Sequence, residues 1–225
     1  ESRKSLMASL DQSLVRMGLD YVDVFYSHRY DPETPLEETM QALVDIVRQG
    51  KALYVGLSRY PADKAEEAYR YLEARDVHCL LYQGRYNLFD RAPEEEGILG
   101  QARAYGVGFI AFSPLAQGLL TSRYLQGVPE DSRMAQGRFL KREVLTEAVL
   151  EKIKALDRVA AERGQTLAEM SLAWVLKDEL VTSVIIGASS VAQLEDNLKA
   201  LRKVDFSREE LDRIEAICHT PDGGQ

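Results

Sequence analysis

His28 follows an apolar run at residues 21–27, and an imidazole at the end of a strand can donate a hydrogen bond to a carbonyl oxygen or exchange a proton with it. A lone histidine is often structural, so it is the place directly after YVDVFYS that points to chemistry. Ser58 and Arg59 close the run at 52–57, and Gln83 closes the run at 78–83. Hydroxyl and amide groups supply the mixed donors and acceptors that a carboxamide needs, although polar residues also simply punctuate strands. Phe112 ends the run at 107–112 and can either pack in the core or stack on a flat ring. In the segment SPLAQGLL that follows, the backbone N–H groups around Ser113, Leu115 and Gly118 could meet a pyrophosphate, with Gly118 allowing close approach. Gly187-Ala188-Ser189 opens a helical pattern holding Gln193, Asp196 and Asn197, and a helix N-terminus favours phosphate.

These residues need a scaffold that brings strand ends together. Five short apolar runs, the fifth at 181–186, alternate with helical patterns, which reads as a repeated strand-then-helix unit with parallel strands. The carboxyl ends of such strands open on one face, where ligands bind. Leu6, Leu10, Leu14 and Met17 predict a helix over 3–17 stopped at Gly18. Thr34 as N-cap, Pro35 and Glu37-Glu38 predict the start of the next, running to Arg48. Further helices are expected over 61–73, 94–105, 147–163, 166–177, 191–201 and 207–217, the last capped by Ser207 with Glu210. The cluster Glu94-Glu95-Glu96 reads as a solvated first turn and not as a metal site. Asn87 is expected to fix its loop. Residues 121–146 break the rhythm with Gly127, Pro129, Gly137 and several basic side chains, which suggests a functional loop.

The 225 residues carry a net charge of −8, which argues against a nucleic-acid partner. No apolar stretch reaches the roughly 20 residues of a membrane helix. Cys79 and Cys218 give neither metal spacing nor a disulfide framework, so a reduced cytoplasmic protein is expected, with both thiols inert. His78 and His219 have no position that suggests chemistry.

Five parallel units allow two architectures, a complete open sheet or part of an eight-stranded barrel. The stretches SLDQSLVRMGLDYVDVFYSHRYDPETPLEETMQAL, GKALYVGLSRYPADK, LLYQGRYNLFDR, GVGFIAFSPLAQGLLTSRYLQGVPEDSRM, GQTLAEMSLAWVLKD and VTSVIIGASSVAQLEDNL decide between them. In order, and over nearly the whole chain, they resemble the aldo-keto reductase superfamily, in the branch holding bacterial glyceraldehyde 3-phosphate reductases and potassium-channel β subunits. The resemblance implies an α/β (β/α)8 TIM barrel that binds NADPH without a Rossmann motif. Residues 1–225 would form a single domain, the carboxyl-terminal part of the barrel with strands 4 to 8, the first three strands being missing.

By the same resemblance His28 is the histidine of the catalytic tetrad, and Ser58, Arg59 and Gln83 meet the nicotinamide end. Phe112 stacks on the nicotinamide, Ser113, Leu115 and Gly118 line the pyrophosphate, and Arg123 and Arg133 grip phosphates. Gly187 belongs to the cofactor-binding helix start, Ser189 takes the 2′-phosphate, and Gln193, Asp196 and Asn197 contact adenine, Asp196 standing where Glu is more usual. The loop 121–146 would cover the cofactor. The implied activity is NADPH-dependent reduction of small aldehydes or ketones, of the glyceraldehyde 3-phosphate or methylglyoxal type. No metal is implied, and a homo-oligomer is compatible with the branch. The tetrad aspartate, tyrosine and lysine have no match in the chain, so residues 1–225 alone are expected to be inactive and poorly stable. The alternative is a truncated or non-catalytic NADPH-binding regulatory subunit like the channel β subunits.

Overall fold

Five of the α-helices begin where a serine or threonine hydroxyl accepts a backbone N–H, at Ser2, Thr146, Thr166, Ser190 and Ser207, and several stop where the chain turns left-handed. Helix α1 (Arg3–Met17) starts at Ser2, whose hydroxyl accepts the Ser5 N–H at 3.4 Å, and ends at Gly18 with φ 66°. That torsion is open to glycine at little cost, which explains the stop. The computed structural model describes residues 1–125 and 145–220, and they group into two units.

The first unit comprises Glu1–Gly84 and Ala92–Ile110. After α1 come β1 (Val22–Ser27), α2 (Leu36–Arg48), β2 (Ala52–Ser58), α3 (Ala62–Glu73) and β3 (Cys79–Arg85). Strand β2 pairs in parallel with β1 and with β3, with Ser27 opposite Leu57 and Ser58 opposite Gln83. Leu10 and Leu14 of α1, Ile46 of α2 and Ala52 of β2 form one buried cluster, so the period-four apolar stripe of α1 is what seats it.

Two helix starts differ from expectation. Pro35, not Thr34, occupies the cap of α2 and no side chain caps it, while the Thr34 hydroxyl donates to the Asp31 carboxylate at 2.8 Å. The single helix expected over 94–105 is two, α4 (Ala92–Glu95) and α5 (Ile98–Ala104), because Gly97 turns left-handed at φ 74°. Strand β4 (Gly108–Phe112) then runs beside β3.

The second unit holds Arg85–Arg91 and the chain from Ala111 onward. It contains the last residues of β4, two short 3-10 turns at Ala116–Gly118 and Ser122–Tyr124, α6 (Glu147–Glu162), α7 (Leu167–Val175), β5 (Ser183–Ile185), α8 (Val191–Leu198) and α9 (Arg208–Cys218). Strand β5 is the neighbour of β4 in the sheet. Helix α8 stops at Leu198 and gives way to a 3-10 turn, shorter than the expected 191–201. Ser207 and Glu210 close the expected capping box on α9. Leu156, Val159, Met170, Trp174 and Ile214 are buried at the centre of this unit. Arg163 is 5% exposed and satisfies itself locally, donating to Gln165 at 2.9 Å, Glu210 at 2.5 Å and the Asp205 carbonyl at 3.0 Å. Burial raises both thiols, Cys79 to about 12 and Cys218 to about 11, which keeps them protonated and unreactive at neutral pH. Among the described residues no helix is long and apolar enough to cross a membrane.

Candidate functional site

In the first unit the register puts three of the expected residues on one row. Ser27 lies opposite Leu57 and Ser58 opposite Gln83, so the next residue after Ser27, His28, is level with Ser58. Residues paired across parallel strands point to the same face, so Ser58 and Gln83 share one. His28 is exposed just past the strand, Ser58 is 3% exposed, and Gln83 is half-buried. Gln83 does not end its strand, because β3 continues to Arg85. Arg59 adopts φ 55°, a left-handed torsion uncommon for a residue with a Cβ.

A hydroxyl network underlies this row. Tyr60, 2% exposed, shares a 2.7 Å hydrogen bond with Ser27, and its backbone is held by the Tyr82 hydroxyl. Burial raises both phenols, Tyr82 to about 12 and Tyr60 in the same direction, so each is a neutral hydrogen-bonding group. The sequence reading missed this network. Tyr60 and Tyr82 are 22 residues apart with no local pattern linking them, and only the strand pairing reveals the contact.

In the second unit, the bend after β4 and the start of α8 enclose a cavity of about 370 Å³. The expected Ser113, Leu115, Gly118, Arg123, Gly187, Ser189 and Gln193 all line it. Gln117, Thr121 and Tyr124 line it too and were not anticipated. A glutamine beside the singled-out Gly118 was the one available hint. Ser113, Ala116, Gln117 and Gly118 all have positive φ, from 49° to 100°. Asn87 fixes this backbone, donating to the Ser113 carbonyl at 3.0 Å while its own carbonyl accepts the Phe89 and Asp90 N–H groups. The N–H groups of Ala116, Gly118, Leu119 and Leu120 bond to carbonyls inside the bend, so fewer amides can turn to a phosphate than the sequence suggests.

At the cavity's other wall Ser190 caps α8, accepting the Gln193 N–H at 3.2 Å, and Ser189 donates both its N–H and its hydroxyl to the Gln193 side chain at 2.7 and 2.9 Å. Asp196 and Asn197 sit on α8 but do not line the cavity. Asp196 pairs with Lys199 at 2.6 Å, and Asn197 is 6% exposed with its amide nitrogen lacking a partner. The buried carbonyl oxygen of the Gln117 side chain also lacks one. Orphaned buried polar atoms are costly; of these two, Gln117 lines the cavity and Asn197 does not. Phe112 is half-buried at the end of β4, with the Arg85 guanidinium 5.9 Å from its ring centre. It is therefore not a core side chain. Arg133 lies outside the described residues, as does 126–144 of the expected covering loop.

A parallel sheet of five strands with helices between them and polar residues at the strands' carboxyl ends defines an α/β protein. The chain belongs to the aldo/keto reductase family, whose model matches residues 1–219. It is 51% identical over 226 residues to an L-glyceraldehyde 3-phosphate reductase of Escherichia coli O157:H7, covering 99% of this chain. It is 38% identical to a probable voltage-gated potassium channel β subunit of Oryza sativa subsp. japonica, over 97% of this chain and 68% of that protein. A crystal structure of a thermostable aldo-keto reductase bound to the inhibitor epalrestat superimposes with a TM-score of 0.74 at 30% identity, over 96% of this chain and 67% of that one. The chain spans about 65% of the length of the E. coli reductase.

Proposed function

We propose that the chain carries the cofactor-binding and histidine-bearing part of an NADPH-dependent reductase of small aldehydes or ketones, of the glyceraldehyde 3-phosphate or methylglyoxal type. The observation that carries this reading is the cavity between the Ser113–Gly118 bend and the Gly187–Ser189 start of α8, with Arg123 on its wall and the orphaned Gln117 carbonyl oxygen on the bend. NADPH, when bound, supplies a hydride to the carbonyl carbon. Arg123 and Ser189 would hold phosphate by charge and hydroxyl, joined by Arg133, and Gly187 lets the chain turn there without a side chain. Gln193, Asp196 and Asn197 would meet the adenine, Asp196 by releasing Lys199. By the family resemblance alone, Ser58, Arg59 and Gln83 would serve the carboxamide end and Phe112 would stack on the nicotinamide. His28 would donate a hydrogen bond to the substrate carbonyl oxygen and so favour charge developing there.

Titrating NADPH and NADH against the protein tests this. NADPH is expected to bind more tightly by roughly tenfold to a hundredfold, the worth of one charge-assisted contact. Equal dissociation constants would overturn it. The 38% identity to a channel β subunit favours a second reading, a nucleotide-bound regulatory subunit in the cytoplasm. Under that reading NADPH binds and is not consumed with methylglyoxal or glyceraldehyde. Self-association in solution is compatible with either.

A further inference from the structure

We propose that Tyr82 is a positioning residue for the two loops that carry His28 and Ser58, an inference that rests on those residues facing ligand. Its ring is 2% exposed and stacked on Phe109 at 5.8 Å. Its hydroxyl accepts the Tyr60 N–H at 3.1 Å and donates to the Tyr60 carbonyl at 2.7 Å. One buried side chain thus satisfies both backbone groups of a residue just past β2, where no strand partner does so.

What that anchor holds is the adjoining turn. Arg59, between Ser58 and Tyr60, keeps φ 55°, a torsion that a side-chain-bearing residue holds only when its surroundings impose it. Tyr60 in turn grips the loop after β1 at two points on either side of His28. Its hydroxyl bonds Ser27 at 2.7 Å, its ring meets Tyr30 edge-on at 5.6 Å, and the Arg59 carbonyl accepts the Tyr30 N–H at 3.5 Å. His28 and Arg29 are therefore strung between fixed points, Ser27 before and Tyr30 after. Phenylalanine at 82 would stack on Phe109 equally well, so packing alone does not account for the hydroxyl. A phenol buried there without partners would cost stability, and the two bonds offset that cost by fixing the turn.

The test compares Tyr82→Phe, Ser58→Ala and the double variant in the full-length protein, measuring affinity for NADPH and for adenosine 2′,5′-bisphosphate, which has no nicotinamide. Turnover with methylglyoxal is measured in parallel. Tyr82→Phe is expected to weaken NADPH by about tenfold, the worth of one hydrogen-bonded anchor, and to lower kcat, with the bisphosphate bound as before. In the Ser58→Ala background the same change should add less than about twofold, because the two act through one contact. Equal weakening of both ligands would mark Tyr82 as a general stabiliser and overturn the proposal. Unchanged NADPH binding and kcat in Tyr82→Phe, with Ser58→Ala impaired, would overturn it and leave the site reading standing. Unchanged binding in Ser58→Ala overturns the site reading, and the positioning role falls with it. Should Tyr82→Phe fail to fold, Tyr60→Phe breaks only the Ser27 bond and is expected to lower kcat while keeping NADPH affinity; normal kcat there overturns the proposal.

Discussion

The strand ends of the first unit and the cavity of the second solve different problems. Around His28 and Ser58 the buried polar groups of Ser27, Tyr60 and Tyr82 satisfy one another, and the loops are tied down before any ligand arrives. Around the cavity the backbone bends through four residues of positive φ, while the Gln117 side-chain carbonyl oxygen stays buried and unpartnered. A region that positions a reacting group gains from preorganisation, because geometry errors at the reacting atom cost rate directly. A region that binds an anionic cofactor can leave its polar groups incomplete and let the ligand complete them. On the proposed function, rate would fall to the first region and affinity to the second.

The largest expected effect tests the first half of that assignment. His28→Ala should lower turnover by about 10²–10⁴, the range for a lost acid–base group, with NADPH affinity nearly unchanged. Steady-state kinetics beside a direct binding titration separates the two quantities. A variant that loses affinity but keeps kcat would move His28 to the binding side and break the comparison.

Next in size is the second half. Arg123→Ala removes a charge from the cavity wall and should weaken NADPH by roughly tenfold to a hundredfold while sparing kcat at saturation. The readout is the ratio of dissociation constants for NADPH and NADH in wild type and variant. An equal loss for both nucleotides would place Arg123 on the shared pyrophosphate and leave the 2′-phosphate to Ser189.

The sequence showed much of this and stopped where tertiary contact begins. Strand positions and most helix caps follow from local pattern: Gly18, Ser207 and Glu210 act within a few residues of themselves. Seven of the cavity's lining residues were expected, six from the SPLAQGLL bend or the start of α8 and Arg123 from the family resemblance alone. What escaped was non-local or a competition between caps. The Tyr60 to Tyr82 contact joins a loop residue just past β2 to a residue of β3, Thr34 bonds Asp31 and does not cap α2, and Gly97 broke a helix whose apolar period ran through it. The orphaned Asn197 nitrogen could not be seen either, since burial is set by what surrounds α8 and not by the residue itself.

Glycines sharpen the contrast further. A Cβ on Gly84 would meet the Phe109 ring at 2.8 Å, and that ring, fully buried and stacked on Tyr82, has no room to move. Gly84→Ala should destabilise by about 1–3 kcal/mol through overpacking, with the Tyr82 anchor disturbed and kcat lowered. A Cβ on Gly118 would meet only Tyr124, at an ordinary 3.7 Å, but the backbone stands at φ 100°. Gly118→Ala should cost about 1–2 kcal/mol by torsion alone and weaken NADPH more than kcat. Denaturant midpoints give the stability terms. If both variants lowered kcat and affinity in the same proportion, the division of labour would not hold.

The smallest effect concerns alkaline pH, and it belongs to the first region. Burial pushes the Tyr82 phenol from its ordinary 10.0 up to about 12 in the folded chain, against the opposing pull of the Tyr60 backbone bond. A folded pKa above the unfolded one means that the folded state holds the proton longer. The stability this group contributes is therefore fully present below pH about 10, and it is lost as pH rises through about 12. Tyr60, also raised by burial, adds a loss of the same sign. Urea midpoints measured from pH 9 to 12 should fall across this window. The Tyr82→Phe protein, which has no proton to lose at that position, should start less stable at neutral pH yet lose less between pH 10 and 12. Parallel curves for the two proteins would mean that the Tyr82 hydroxyl titrates as if exposed, and the preorganised network at the strand ends would not be closed to water.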